Sequence, residues 1–326
     1  TVSEKVTEGS QVWDEDSVRM AGVPDENVEC VLEMLRLLGL VQGVTEPLAD
    51  PLTILRFLTA REMVVEDAIE MYRSSVDWRK DFDVGSVMAE YGIGHAYDNA
   101  SGMRLVEGND FDRWGWSWRP QTPTAEKLNP LGFFGKLSTT DSDGAPIAVW
   151  RVAAADFAGF YREQMIEEAT RAFVAHLEDN FQAGRALSLA QKRLIRIRLV
   201  IDAQGLSIGI LRQLSVVKAI LGLGKAYFPE ISVTVAIVRA HWVFSRVFSL
   251  ISPLLTAVMK RKICILGEDF AEDLKRHSQI DISVLPKFMG GDVSDAEVLE
   301  GAKVPVGLGD ELRAMRDVRD AAAAST

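Results

Sequence analysis

Residues 227–267 constrain the fold most, because two predicted strands enclose one long apolar helix there. The β-branched run from Ile231 to Arg239 predicts a strand, and a basic turn leads into a second predicted strand from Lys262 to Leu266. Between them, helical spacing predicts a helix from about Val243 to Val258. Its apolar stripe is wider than one packing face requires, so we expect something apolar on one side of it. The stripe consists of Val243, Phe244, Val247, Phe248, Ile251, Leu254, Leu255 and Val258.

Strands and helices also alternate around this stretch, which is typical of an α/β sheet with right-handed crossovers. On the strand LIRIRLVID, Ile197 and Leu199 lie on one face and Arg198 on the other. The strand from Ile231 is apolar on both faces, so we expect it to be buried on both sides. The predicted helix 162–183 would cover one face and the helix 243–258, or a cavity beneath it, the other. The remaining predicted elements are strands at 133–137, 147–152 and 194–202 and helices at 210–221 and 268–277.

The N-terminal part predicts a small helical bundle. Apolar positions at helical spacing indicate helices from Asn27 to Leu40, from Asp50-Pro51 onwards, and from Glu62 to Phe82. The first stops near glycines, and the last carries acids in its first turns and bases in its last, as the helix dipole favours.

The net charge of −11 is unevenly distributed. Residues 1–50 carry −8 and residues 292–326 carry −4, so the middle is close to neutral. Within it, residues 180–201 and 231–267 contain only basic charges. The overall charge argues against a nucleic-acid binder, whereas bases beside an exposed apolar helix suit an anionic membrane surface. Solvated strand ends and helix caps would explain the same charges.

Other features exclude several function classes. The two cysteines, Cys30 and Cys264, have neither disulfide nor metal spacing, and the four histidines have no ligand spacing. We therefore expect no metal and no cofactor other than a bound lipid. The segment Gly205-Leu-Ser207-Ile-Gly209 matches the serine hydrolase elbow, and Asp269 or Asp273 followed by His277 gives the Ser-Asp-His order of an α/β-hydrolase. The predicted strand ends too early for that tight elbow, so we expect a structural turn in which Gly205 permits a positive φ, and no enzyme.

Several separate segments resemble the Sec14-like (CRAL-TRIO) lipid-binding proteins, in that family's order. TILRFLTAREMVVEDAIEMYRSSVDWRKDF is similar to the family's helical module, and LVIDAQGLS, YFPE, AHWVFS, LISPLL, KRKICILG and LPKFMGGD are similar to its lipid-binding domain. The resemblance implies an N-terminal helical bundle and a mixed, mostly parallel sheet, with a helical gate over an apolar pocket. It implies an acidic arm and helix (1–44), a helical module (45–92), a lipid-binding domain (93–291) and a tail with a short helix (292–326).

The resemblance also implies a headgroup site. In members that bind phosphatidylinositol, two cations and a carboxylate hold the inositol phosphate, and the matching positions here are Arg61, Glu230 and Lys262. Two departures lie elsewhere in the pocket: Met259 stands where the phosphoinositide pattern has threonine, and Ile197 and Leu199 stand where serine and threonine receive phosphocholine. Phosphatidylcholine is therefore disfavoured, and a more apolar second ligand becomes an alternative.

The function implied is binding of one lipid, phosphatidylinositol or another phospholipid, and its exchange with membranes through the gate. The alternatives are a carrier of a sterol, tocopherol, carotenoid or retinoid, and a scaffold subunit that keeps the fold. We expect transient contact with an anionic membrane, with the acidic arm or the tail as the place for a protein partner. The expected location is cytoplasmic and peripheral at membranes, although a start at Thr1 leaves removal of a targeting presequence open.

Overall fold

The computed structural model describes residues 11–42, 48–90, 134–152, 166–206 and 208–293. The N-terminal part is a helical bundle, as predicted. Helix α3 begins where Asp50 accepts a hydrogen bond from the backbone of Thr53 at 2.8 Å, and α2 ends at Gly39, whose φ of +69° favours glycine. The helices are α1 (Glu15–Met20), α2 (Val28–Leu38), α3 (Pro51–Ala60), α4 (Val65–Asp81) and α5 (Val84–Glu90).

A five-stranded sheet in the order β1-β2-β3-β4-β5 follows, antiparallel between β1 and β2 and parallel elsewhere. The mixed, mostly parallel sheet predicted from the sequence is confirmed. Its strands are β1 (Phe134–Thr140), β2 (Pro146–Arg151), β3 (Ile197–Asp202), β4 (Ser232–Val238) and β5 (Ile263–Ile265). The helices among and after them are α6 (Ile166–Gln191), α7 (Leu214–Tyr227), α8 (Trp242–Ile251), α9 (Ala257–Lys262) and α10 (Ala271–Ser278).

One face of the sheet carries two apolar rows that run across neighbouring strands in register. The first row is Ala148, Leu199, Val235 and Ile263, and the second is Trp150, Ile201, Ile237 and Ile265. We call this face the floor. The predicted alternation along β3 is confirmed, because Val200 packs on the opposite side.

The two helices expected on opposite faces lie on the same one, so that prediction was wrong. Helix α6 reaches the floor through Phe173, whose ring lies 5.4 Å from that of Trp150, and α8 reaches it through Phe244, which packs against Ile237. The opposite face is covered by α10 and the turns after it, in a core that includes Leu274, Ile280, Leu285 and Met289. A strand that is apolar on both faces does not specify which helix covers which face.

Helix α6 also joins the sheet to the helical bundle. It is longer than predicted, and its buried acid Glu178 pairs with Arg79 of α4 at 3.1 Å. Further along, Arg185 donates to Asp50 at the start of α3 at 2.7 Å. Because these buried charges need their partners, the bundle and the sheet are held in one relative position.

Candidate functional site

A charged cluster lies at the amino edge of the sheet. Arg196 directly precedes β3, Glu230 lies two residues before β4, and Lys262 directly precedes β5. Since these three strands are parallel neighbours, the residues before them meet at one edge. Glu230 precedes the middle strand, and its Oε2 accepts a hydrogen bond from Arg196 while its Oε1 accepts one from Lys262.

The YFPE segment positions Glu230 by packing against α4. Tyr227 stacks on Trp78 with ring centroids 4.2 Å apart, and the guanidinium of Arg79 lies 4.6 Å from the ring centroid of Phe228. Glu230 itself has a φ of +49°, a left-handed conformation that costs a non-glycine residue free energy. The packing of the two aromatic residues shortly before it therefore helps to hold the carboxylate between its two cations.

A third cation, Arg56 of α3, approaches Glu230 from the helical bundle. It is almost fully buried and donates to the Glu230 carbonyl at 2.7 Å, to the Ile195 carbonyl and to the Ser188 hydroxyl at 3.3 Å. Burial lowers the pKa of Arg56 to about 9, and the positive charge of Arg196 adds to this effect. Arg56 therefore binds α3 to the segments preceding β3 and β4.

Sequence reasoning missed both Arg56 and Arg196. The available signal for Arg56 was a cation inside the apolar run LTILRFLTA, where a charge is rare unless it is satisfied by neighbours. The signal for Arg196 was its place directly before a buried parallel strand.

The structure brings together two of the three predicted headgroup residues. Glu230 and Lys262 form an ion pair, and burial lowers the pKa of Lys262 against the opposing effect of Glu230. Arg61 is half-buried at the end of α3, where it lines a cleft of about 460 Å³ with Tyr227 of the YFPE segment. The other residues lining this cleft are Asp67, Glu70, Met71, Ser74 and Ala226.

The floor is apolar but incompletely covered. Ile197 and Leu199, the positions matched to phosphocholine-binding residues, are buried among apolar neighbours. Beside them, Trp150, Ile201, Val235 and Ile263 are only half-buried. A sheet face of this kind, at the centre of the fold, offers contact area to an apolar ligand.

The predicted helix 243–258 is interrupted, which corrects the prediction. Helix α8 ends at Ile251, a 3-10 turn spans Ser252–Leu254, and α9 begins after Thr256, whose hydroxyl caps it at 3.1 Å from the Met259 nitrogen. The interruption comes at Pro253, which has no backbone N–H to continue the helix. The predicted second strand is also shorter, because Lys262 ends α9. We call residues 242–262 the gate segment.

The predicted apolar stripe mostly faces inward. Val243, Phe244, Val247 and Leu255 are buried, and Phe248, Ile251, Val258 and Met259 are half-buried. Leu254 lies in the interruption and is exposed. Phe244 packs against Ala203 and Ile237, so α8 rests on the floor near its carboxyl edge. The gate segment thus crosses the floor and ends at the charged cluster.

The outer side of the gate segment combines exposed apolar and basic side chains. Trp242 is 60% exposed and Leu250 is 48% exposed. Arg246, Lys260 and Arg261 are exposed nearby in sequence, and residues 231–267 contain no acid. This surface, which we call the outer gate surface, suits contact with an anionic lipid headgroup layer.

The structure describes the turn, the Asp273 position and the His277 position of the hydrolase-like motif. Gly205 has a φ of +76°, as expected for a turn, while Ser207 lies outside the described residues. His277 is exposed, and Asp273 pairs with Arg276. Within the described ranges there is no group of three metal-ligating side chains. The same ranges contain no helix with the length and apolar character needed to span a membrane.

Comparisons with known proteins indicate similarity to CRAL/TRIO and Sec14 proteins. Residues 132–291 match the model of the CRAL/TRIO domain. The chain is 28% identical over 287 residues to the SEC14 cytosolic factor of Kluyveromyces lactis, covering 85% of this chain and 84% of the relative. It is 27% identical over 267 residues to the Sec14 cytosolic factor of Schizosaccharomyces pombe, covering 81% and 82%. The crystal structure of Sfh5 superimposes with a TM-score of 0.54 at 14% identity, over 94% of this chain and 98% of that one.

Proposed function

Because the chain belongs to the Sec14-like family and carries its CRAL/TRIO domain, we propose that it binds one phospholipid between the floor and the gate segment and exchanges it with membranes. The observation that carries this proposal is the floor itself: two apolar rows in register, partly uncovered, that lie under an apolar helix face. Apolar surface left uncovered in water is unfavourable, and an apolar ligand would cover it.

The physical need for enclosure supports the same proposal. Each buried CH₂ group of an acyl chain contributes ~0.8 kcal/mol, so a lipid leaves a bilayer only for a site that covers most of its chains. The floor and the inner side of the gate segment supply apolar contact, and the charged cluster lies where the gate segment ends. A lipid would place its chains along the floor and its headgroup at Lys262.

Exchange requires the gate segment to move. The interruption between α8 and α9 separates the part that rests on the floor from the part that ends at Lys262. Contact of the outer gate surface with anionic lipid would favour an open state by burying Trp242 and Leu250 in the membrane interface. We propose that the protein acts at the cytoplasmic side of membranes without spanning them, in agreement with relatives named cytosolic factors.

The test is lipid transfer with a matched pair of lysine variants. The purified protein is expected to carry a co-purifying lipid in native mass spectrometry and to move labelled phosphatidylinositol between vesicles. Lys262→Ala removes a charge-assisted hydrogen bond to the headgroup, which predicts a fall in lipid affinity of about ten- to a hundredfold. Lys80→Ala removes the same charge from an exposed position of the helical bundle, outside the gate segment.

Equal transfer by these two variants would refute the headgroup assignment, and a protein without bound lipid or transfer would refute the function. Arg61→Ala belongs in the same series, because Arg61 remains a predicted headgroup residue. Transfer equal to that of the parent protein would remove it from the site.

A second candidate ligand is a sterol or another apolar molecule. The apolar side chains of Ile197 and Leu199 favour it, because neither provides a hydrogen-bond donor for a phosphocholine group. If cholesterol competes with labelled phosphatidylinositol for the protein, a second ligand of this kind is supported. If cholesterol has no effect, cholesterol is not a ligand of this site.

A further inference from the structure

The charged cluster carries more positive than negative charge. Glu230 is the only carboxylate that the described structure places in it, against Arg196 and Lys262 on its side chain and Arg56 on its backbone carbonyl. Two other charges also act on Arg56, those of Asp50 and Arg185, and because these two pair with each other at 2.7 Å they add no net charge. Counted over the described residues, the cluster therefore has a surplus of two positive charges.

The surplus is accessible from one side. The Glu230 side chain is 3% exposed, whereas those of Arg196 and Lys262 are 22% and 17% exposed. Arg196 uses Nη1 for Glu230, and within the described part of the chain its Nε and Nη2 groups have no hydrogen-bond partner. Two donors in the planar arrangement that matches a phosphate are thus left available.

Glu230 sets the positions of the two partly exposed cations. Each of its oxygens accepts from one of them, so a single buried carboxylate separates Arg196 from Lys262. A phosphate lying over the cluster can contact both cations at once. A phosphodiester brings one negative charge, whereas a phosphomonoester brings ~1.5 to 2 at neutral pH. Only the phosphomonoester cancels most of the surplus.

We propose that Arg196 is an additional headgroup-binding residue, and that with Lys262 it makes the site prefer lipids whose headgroup bears a phosphomonoester over lipids with only a phosphodiester. The proposal rests on the proposed lipid-binding function and specifies its ligand class. Partly buried like charges destabilise one another until a counter-charge arrives, which gives the preference its physical cause. In the same direction, the charge of Arg196 contributes to the lowered pKa values of Lys262 and Arg56.

The test compares two lipids that differ by one phosphomonoester. The full chain is mixed with phosphatidylcholine vesicles that contain fluorescent-chain phosphatidylinositol or its monophosphate, and uptake of each lipid into the protein is measured. We expect the parent protein to prefer the monophosphate by about tenfold, the value of one charge-assisted hydrogen bond, and Arg196→Gln to lose that preference. Arg193→Gln, an exposed arginine outside the cluster, should keep it.

Arg196→Lys extends the test if the glutamine variant does not fold. It keeps the charge but loses the planar pair of donors, so we expect a smaller preference than in the parent protein. A water-soluble inositol bisphosphate provides a further arm. It has the phosphomonoesters without acyl chains, so it should compete weakly; if it displaced the lipid fully at equal concentration, the site would bind free phosphate and the proposal would be wrong.

The two proposals fail in different ways. Uptake of both lipids without preference, or a preference that Arg196→Gln leaves intact, would overturn the role of Arg196 while lipid binding stands. Uptake of neither lipid by the parent protein would overturn the lipid-binding function and this inference with it.

Discussion

Replacing Phe244 by alanine should speed release of a bound lipid, because this side chain holds the gate segment on the floor. Phe244 is 6% exposed, packs against Ala203 and Ile237, and stacks on Phe248 with centroids 6.0 Å apart. Removing a buried phenylalanine from a sealed core costs ~3 to 5 kcal/mol. Here nearby floor residues such as Ile201 and Val235 are half-buried, so neighbours can relax and the lower value of ~3 kcal/mol applies.

The consequence for release depends on how the gate segment opens. If opening lifts Phe244 off the floor, the whole ~3 kcal/mol is lost from the closed state, which shifts the closed-to-open equilibrium by about a hundredfold. Release of the lipid should then be faster by up to that factor, until another step becomes rate-limiting.

The assay is loss of fluorescent-chain phosphatidylinositol from preloaded protein into excess acceptor vesicles, with urea unfolding measured on the same samples. Ser245→Ala is the control, because Ser245 is exposed on the same helix. One result would refute the reasoning: a lowered unfolding midpoint for Phe244→Ala with a release rate equal to that of the control. Phe244 would then stay on the floor while lipid leaves by another route.

Three further outcomes follow from the structure. Trp242→Ala should weaken binding to anionic vesicles by about fivefold, because a half-exposed aromatic side chain contributes ~1 kcal/mol at the interface. Val64→Ala, which changes an exposed apolar residue on the helical bundle, should leave this binding unchanged. Equal effects of the two variants in a vesicle sedimentation assay would count against the outer gate surface. Because burial lowers the pKa of Lys262 below the ordinary 10.5, this lysine loses its charge at a lower pH, and phosphatidylinositol transfer should fall at alkaline pH before 10.5 is reached. Lys262→Arg should retain transfer in that alkaline range. If the pH profile of transfer were the same for both proteins, Lys262 would not be the group that sets the alkaline fall. Arg56→Met should lower the free energy of unfolding by ~1 to 3 kcal/mol, because the Glu230 carbonyl loses a buried hydrogen-bond donor. Arg73→Met, at an exposed position, should change the free energy of unfolding little. Similar urea midpoints for the two variants would contradict the role of Arg56 in joining α3 to the sheet.

The buried Arg56 has a consequence for how the charged cluster responds to a ligand. Its guanidinium donates to backbone carbonyls, and among the described residues no carboxylate forms a direct ion pair with it. A phosphate at Arg196 and Lys262 would reduce that imbalance from outside. Ligand binding and the attachment of the helical bundle to the sheet should therefore support each other.

Much of the fold could be predicted from the sequence because its signals are local. Helical spacing in α2 and α4, the Asp50-Pro51 start of α3 and the alternation along β3 each depend on residues close together in the chain. The interruption of the gate segment had a local signal as well, Pro253, but the apolar stripe continues through it and predicted a single helix. The motif order that resembles Sec14-like proteins then supplied the architecture.

The sequence by itself determined most of the strands and helices and which strand faces are apolar, and the family resemblance predicted that Glu230 and Lys262 belong to one site. Only the tertiary structure decided that α6 and α8 share one face of the sheet, that α10 covers the other, and that Arg56 and Arg196 join Glu230 while Arg61 lies in a separate cleft. The physical reason is distance along the chain. Arg56 and Glu230 are 174 residues apart, so their contact depends on how the parallel strands bring their amino ends together. Local sequence preferences do not specify which buried carbonyl a guanidinium so far along the chain will bind.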